Sequence, residues 1–142
     1  MFPNPSEARH ALADRPVARV AKMHGEGHPE LRQLHERVEA LAARLGAQME
    51  LEERDVFEPL RAGLCTGSGV RGELDQGNRV MAGLLRELRS LTGDFAAPEY
   101  ACNTWRALFA TLADLEDDLH LHIHLETHVL LPGLEEGEGA RA

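Results

Sequence analysis

The chain has 142 residues, which suits one domain, because two separately cored units would each be too small to be comfortable. It is 43% hydrophobic and 27% charged, a composition that argues against disorder, and its formal net charge is −9. Such a charge repels phosphate backbones and anionic lipids, so we expect neither a nucleic-acid nor a membrane partner.

Targeting features and cysteine content predict a cytoplasmic protein. No segment approaches the ~18 consecutive apolar residues of a membrane-spanning helix. The opening segment MFPNPSEARH has no basic stretch followed by an apolar one, so we expect no signal peptide. Two cysteines, Cys65 and Cys102, are too few for a disulfide framework and suit a reducing compartment.

Helix-forming residues dominate the chain, which predicts an all-α fold. We expect residues 1–134 to form the domain and the acidic tail 135–142 to fray. Caps, prolines and glycines divide the domain into four predicted helices: Ser6 to Met23 with a kink at Pro16, Pro29 to Phe57 with a disturbance at Pro59, Val70 to Leu91, and Pro98 to Leu131, ended by Pro132 and Gly133.

Three of these helices carry an apolar stripe in heptad phase, which predicts the face that lies in the core. The stripes comprise Leu31, Leu34, Val38, Leu41 and Leu45 in the second helix; Leu74, Met81, Leu84, Leu88 and Leu91 in the third; and Ala101, Trp105, Leu108, Leu112, Leu115, Leu119 and Val129 in the fourth.

Each stripe also passes through polar residues. The second-helix stripe continues into Gln48 and Glu52, Asn78 interrupts the third, and His122 and Glu126 lie on the fourth, one turn apart. Buried polar groups must be paired or bound, and carboxylates with imidazole projecting from facing helices build metal sites in bundles. The pattern therefore predicts a buried cation site, and a hydrogen-bonded polar cluster without metal is the alternative.

Several separated segments resemble one bacterial family. WRALFATLADLEDDLHLHIHLETHVLLP (105–132) resembles the last helix of hemerythrin-like proteins, and RSLTGDFAAPEYACNTW (89–105) resembles the link into it. KMHGEGHPEL (22–31) and MELEERDVFEP (49–59) are similar to its second-helix region. The most similar group is known for repair of iron centres under oxidative and nitrosative stress. This resemblance implies an up-and-down antiparallel four-helix bundle that encloses a di-iron site.

The resemblance also implies a ligand set, of which this chain keeps a part. The bridging carboxylates fall on Glu52 and Glu126, and the last-helix histidine falls on His122. The second- and third-helix histidines fall on Gln48 and Asn78, whose amide oxygens are weak ligands. We therefore expect a degenerate or mononuclear site for non-haem iron or another divalent cation, with a metal-free core as the alternative.

The remaining histidines have other predicted roles. The resemblance places a first-helix histidine near residues 3–4, so we expect a shortened first helix, with His10 as a substitute ligand if that helix is shifted. His24 is expected to cap a helix end. Three further histidines, His120, His124 and His128, form an i, i+4 series that suits a solvated face better than a metal site.

Two functions follow as hypotheses. The first is a metal-binding protein related to iron-centre repair, with iron-sulfur proteins as clients. The second is a metal-free bundle that acts as an interaction or regulatory module and dimerises through the apolar face that a short first helix leaves uncovered. The sequence has no phosphate-binding glycine loop and no arrangement for nucleophilic catalysis, so we expect metal binding or a stress response rather than enzymatic turnover.

Overall fold

The computed structural model describes residues 16–64, 67, 69–130 and 132–133. This part of the chain forms an up-and-down bundle of four helices: α1 (Pro16–His24), α2 (Pro29–Glu52), α3 (Val70–Leu91) and α4 (Asn103–Leu125). It contains no strand, as the all-α prediction requires, and none of its helices has the length and apolar character to cross a membrane. The predicted start at Ser6, His10, Cys65 and the tail 135–142 lie outside the described residues.

Two helices continue beyond the bounds of their regular α-helical part. After α2 the chain forms a π-helical turn, Glu53–Phe57, and then a last α turn, Glu58–Arg61. The predicted end at Phe57 is therefore wrong, because Pro59 lies in the first turn of that last segment, where its missing N–H is not needed. After α4 comes a second π-helical turn, Glu126–Leu130.

The π-helical turn after α4 overturns one core assignment. A π-helical turn contains an extra residue, so it rotates the side chains that follow it away from the heptad phase. Val129, predicted to continue the buried stripe, is accordingly 59% exposed. The predicted start of α4 at Pro98 is also wrong, since residues 98–102 form a turn in which Ala101 N donates to Pro98 O (3.0 Å).

The core consists of two buried clusters. The larger joins all four helices and contains most of the predicted stripes, and the smaller comprises Val56, Val70 and Leu74. On α3 the prediction needs correction, because Leu85 is fully buried whereas Leu84 and Leu91 are only partly buried. Alternating steps of four, three and four residues from Leu74 lead to residue 85, which the predicted stripe did not include.

The link between α3 and α4 is held by a partly buried ion pair that the sequence pattern did not predict. Glu116, on the core side of α4, is buried and accepts hydrogen bonds from Arg89 Nε (3.0 Å) and Nη2 (2.5 Å). Arg89 also reaches Asp94 (3.2 Å), in a run of three left-handed residues that begins at Gly93. The ion pair connects the end of α3 to α4 and so fixes the mutual position of these two helices.

We expect Leu41→Ala to lower the free energy of unfolding by about 2–5 kcal/mol, because Leu41 is fully buried and the truncation leaves a cavity. Leu121→Ala is the matched control on α4, since Leu121 is 45% exposed, and its expected change is within about 0.5 kcal/mol. Urea denaturation followed by circular dichroism measures both changes. Equal losses in the two variants would contradict the predicted core.

Candidate metal centre

The five predicted site residues lie together in one polar layer between the two apolar clusters. Gln48 and Glu52 come from α2, Asn78 from α3, and His122 and Glu126 from the end of α4 and the turn that follows it. Their exposed fractions lie between 1% and 7%, so water contributes little to their solvation. A polar layer in this position must satisfy its hydrogen bonds internally or through a bound ion.

Two carboxylates and one imidazole form the centre of this layer. His122 Nε2 lies 3.1 Å from Glu126 Oε2 and 3.7 Å from Glu52 Oε1. One ligand atom from each of the three residues lies within 4.8 Å of the other two, which is a spacing that a single cation can bridge. Among the described residues, no other group of three His, Cys, Asp or Glu side chains meets this criterion.

The two amides border the same centre. Asn78 Nδ2 donates to Glu126 Oε1 (2.9 Å), and Gln48 Nε2 donates to the same oxygen (3.2 Å). Gln48 Nε2 also lies within hydrogen-bond distance of Asn78 Oδ1 (3.2 Å) and of the backbone oxygen of Leu74 (3.1 Å), so its two N–H groups are shared among three acceptors. Glu126 therefore accepts hydrogen bonds from three side chains, the imidazole of His122 included.

Glu52 differs from Glu126 in having a carboxylate oxygen without a donor. No hydrogen-bond partner reaches its buried Oε1 from the described residues. An unsatisfied buried acceptor is costly, and a cation placed between the two carboxylates and the imidazole would satisfy it. Carboxylate oxygen and imidazole nitrogen are ligands for Fe(II), Mn(II) and Zn(II), so the residues present fit a divalent cation.

Comparison with known proteins places this centre in a family. The family model described as "Hemerythrin HHE cation binding domain" matches residues 7–134. The chain belongs to this hemerythrin family. The fold and the family resemblance predicted from the sequence are thereby confirmed.

Curated relatives of this chain carry names that refer to repair. The iron-sulfur cluster repair protein ScdA of Staphylococcus haemolyticus is 34% identical over 120 residues, which are 80% of this chain and 54% of that protein. The iron-sulfur cluster repair protein YtfE of Yersinia pseudotuberculosis is 32% identical over 121 residues, or 84% and 55% of the two chains. This hemerythrin-like chain thus spans about half the length of these relatives.

The protonation of the centre follows from burial and from the mutual contacts of its three ionisable groups. Burial raises the pKa of Glu52 to about 7, helped by the nearby Glu126 carboxylate and opposed by His122. Burial alone would lower the pKa of His122, but the proximity of the Glu126 and Glu52 carboxylates outweighs burial and raises it to about 9. Burial likewise opposes ionisation of Glu126, yet its contacts with His122, Glu52 and Asn78 lower its pKa.

The histidines of α1 and of the exposed face of α4 lie away from this centre. His24 packs on Trp105, with ring centroids 4.9 Å apart, and its Nε2 contacts Cys102 Sγ at 3.5 Å. Trp105 precedes His122 by 17 residues of one helix, which corresponds to roughly 25 Å, so His24 stands at the opposite end of the bundle. The series His120, His124 and His128 is exposed, as a solvated face would be.

A groove connects the edge of the centre with the protein surface. Its volume is about 540 Å³, and its lining includes Arg44 and Leu51 of α2 and Glu73 of α3. Gln48 and Gly77 contribute to the same lining. Because Gln48 also donates to Glu126, this groove borders the amide side of the buried layer.

We expect the stability of the chelator-treated protein to fall as the pH rises from about 4.5 to 9. The pKa of Glu52 is raised from 4.5 to about 7, so its neutral form stabilises the fold below 4.5 and this contribution is lost by 7. The pKa of His122 is raised from 6.5 to about 9, so the contribution of its charged form is lost between these values. Urea denaturation at several pH values measures the change.

The variant Glu52→Gln isolates the lower half of this pH range. A neutral amide cannot ionise, so its stability is expected to change little between about pH 5 and 7, and at neutral pH it should equal or exceed that of the parent. The exposed neighbour Glu50 supplies the control, because Glu50→Gln should keep the parental pH profile. A parent whose stability rises between pH 5 and 8 would contradict the assigned protonation.

Proposed function

We propose that this chain binds one divalent cation, preferably Fe(II), through Glu52, His122 and Glu126, and serves in the repair of iron-sulfur clusters in the cytoplasm. The observation that carries the proposal is the unsatisfied Glu52 Oε1 beside a second carboxylate and an imidazole in a buried layer. Membership of the cation-binding hemerythrin family supports the metal, and the printed names of ScdA and YtfE support the repair role.

In this proposal the side chains have distinct tasks. Glu126 is held ionised and fixed in orientation by three hydrogen bonds, so it offers its charge at every pH near neutrality. Glu52 and His122 must each release a proton before both become full ligands, so metal affinity should increase with pH. Bound iron would supply a redox-active, transferable ion, and iron-sulfur proteins are the proposed clients.

One observation favours the second hypothesis, a metal-free interaction or regulatory module. Glu126 has donors from Gln48, Asn78 and His122, and a protonated Glu52 would leave the layer nearly neutral without a cation. In that case a second copy of the chain is the partner we propose, through the side of the bundle that bears α1. Light scattering at micromolar concentration would detect the dimer, and a monomeric mass would count against it.

We expect anaerobic Fe(II) to raise the melting temperature of the protein and a chelator to reverse the increase. A ligand at about 100 times its Kd stabilises the fold by about 2.7 kcal/mol. Glu52→Gln and His122→Gln should abolish the increase, because each removes a ligand, whereas Glu50→Gln should retain it. If chelator and Fe(II) leave the melting temperature of the parent unchanged, the metal-binding proposal is wrong and the metal-free module remains.

The repair role is tested with an oxidatively damaged [4Fe–4S] dehydratase. We expect the Fe(II)-loaded protein to restore dehydratase activity faster than the same amount of free Fe(II), because the buried centre protects the ion until it is transferred. Glu50→Gln should match the parent, and Glu52→Gln should do no better than free Fe(II). Equal recovery with the parent and with free iron would refute the repair role while leaving metal binding intact.

A further inference from the structure

The two oxygens of Glu126 face different surroundings. Oε1 accepts N–H groups from both Gln48 and Asn78, at 3.2 and 2.9 Å. Oε2 lies 3.1 Å from His122 Nε2, on the side that Glu52 also approaches. A carboxylate that bridges two cations needs both oxygens available, and here one of them already holds two donors.

The orientation of both amides is fixed by a backbone carbonyl. Leu74 O can only accept a hydrogen bond, so the group of Gln48 that lies 3.1 Å from it must be the NH2. The same NH2 lies 3.2 Å from Asn78, which must therefore present its oxygen to Gln48 and its own NH2 to Glu126. If either amide were reversed, acceptor oxygens would face each other in a buried layer, which is unfavourable.

Gly77 provides the space for this arrangement. A Cβ at residue 77 would lie 2.0 Å from Gln48 Oε1 and 2.9 Å from its Cδ, well inside contact distance. The amide of Gln48 therefore occupies the volume that any side chain at residue 77 would need. Gly72, on the same helix, has open space at the corresponding point.

We propose that Gln48 and Asn78, as hydrogen-bond donors to Glu126 Oε1, fill the space in which a second cation would bind and so limit the chain to one cation. Gln48 is held there by Leu74 O and by the space that Gly77 leaves. The inference rests on the proposed function for that first cation, and it adds a role for the two amides. They act as positioning residues for Glu126, because their N–H groups rather than their oxygens face the carboxylate. The number of bound metals is thereby set by two neutral side chains.

The principal test counts Fe(II) bound per chain after anaerobic equilibrium dialysis. Parent and variant both carry His120, His124 and His128 replaced by Gln, so that the exposed imidazoles bind no iron. We expect Gln48→His with Asn78→His to bind about one Fe(II) more than the parent, because two imidazoles replace the two donors. No gain would overturn the inference. A parent that binds no Fe(II) would refute the proposed function instead. The effect of the two amides would then still be measured as the increase in bound Fe(II) in the double variant.

A second measurement tests whether the Gln48 amide occupies the space beside residue 77. It needs no metal and does not rely on the histidine variants. In chelator-treated protein, Gly77→Ala should lower the melting temperature, because the new methyl displaces the Gln48 amide. In a Gln48→Ala background the same change should raise it, as alanine for glycine in a helix normally does. Gly72→Ala is the control and should raise the melting temperature in both backgrounds. An equal decrease in melting temperature from Gly77→Ala in both backgrounds would overturn the proposed position of the Gln48 amide.

Discussion

The constraint on which this structure depends is the enclosure of two carboxylates, Glu52 and Glu126, in one buried layer of a helical bundle. Two negative charges at this distance and burial cannot both persist without a counter-charge, because their desolvation adds to their mutual repulsion. The two carboxylates of the layer therefore differ in their hydrogen bonds and in their pKa values. Glu126 receives every available donor and stays ionised, whereas Glu52 retains an oxygen without a donor and a raised pKa. The imidazole of His122 supplies a positive charge to both.

The position of this layer follows directly from the heptad pattern of the sequence. Stripes of leucine on α2 and α4 lead without interruption into Gln48, Glu52, His122 and Glu126, so their convergence could be predicted before any coordinates. Asn78 was predictable for the same reason on α3. Periodicity determines which face a side chain occupies, and in a bundle of matched helices that is enough to place residues in a shared layer.

Other features lie beyond what periodicity can predict. No residue pattern in the sequence indicated the π-helical turns after Glu52 and at Glu126, or the rotation that exposes Val129. Glu116 is buried because Arg89 reaches it from another helix, a contact that a single-helix pattern does not contain. The role of Gly77 depends on a close approach between helices, which the sequence does not show. Nothing in the sequence therefore distinguished it from the other glycines, of which the chain has 13 in total.

The contrast between the two carboxylates also bears on why the centre persists. A bundle that needed only stability would gain from an apolar side chain in place of Glu52, since a buried acceptor without a donor costs on the order of 1–3 kcal/mol. The amides next to Glu126 show that this core can satisfy a buried carboxylate oxygen with neutral donors, at Gln48 and Asn78. Among the described residues no such donor serves Glu52 Oε1, which lies on the side of His122 and the second carboxylate. The unsatisfied oxygen therefore lies on the side of the proposed cation, and the satisfied oxygen lies where a second cation would have to displace two hydrogen bonds.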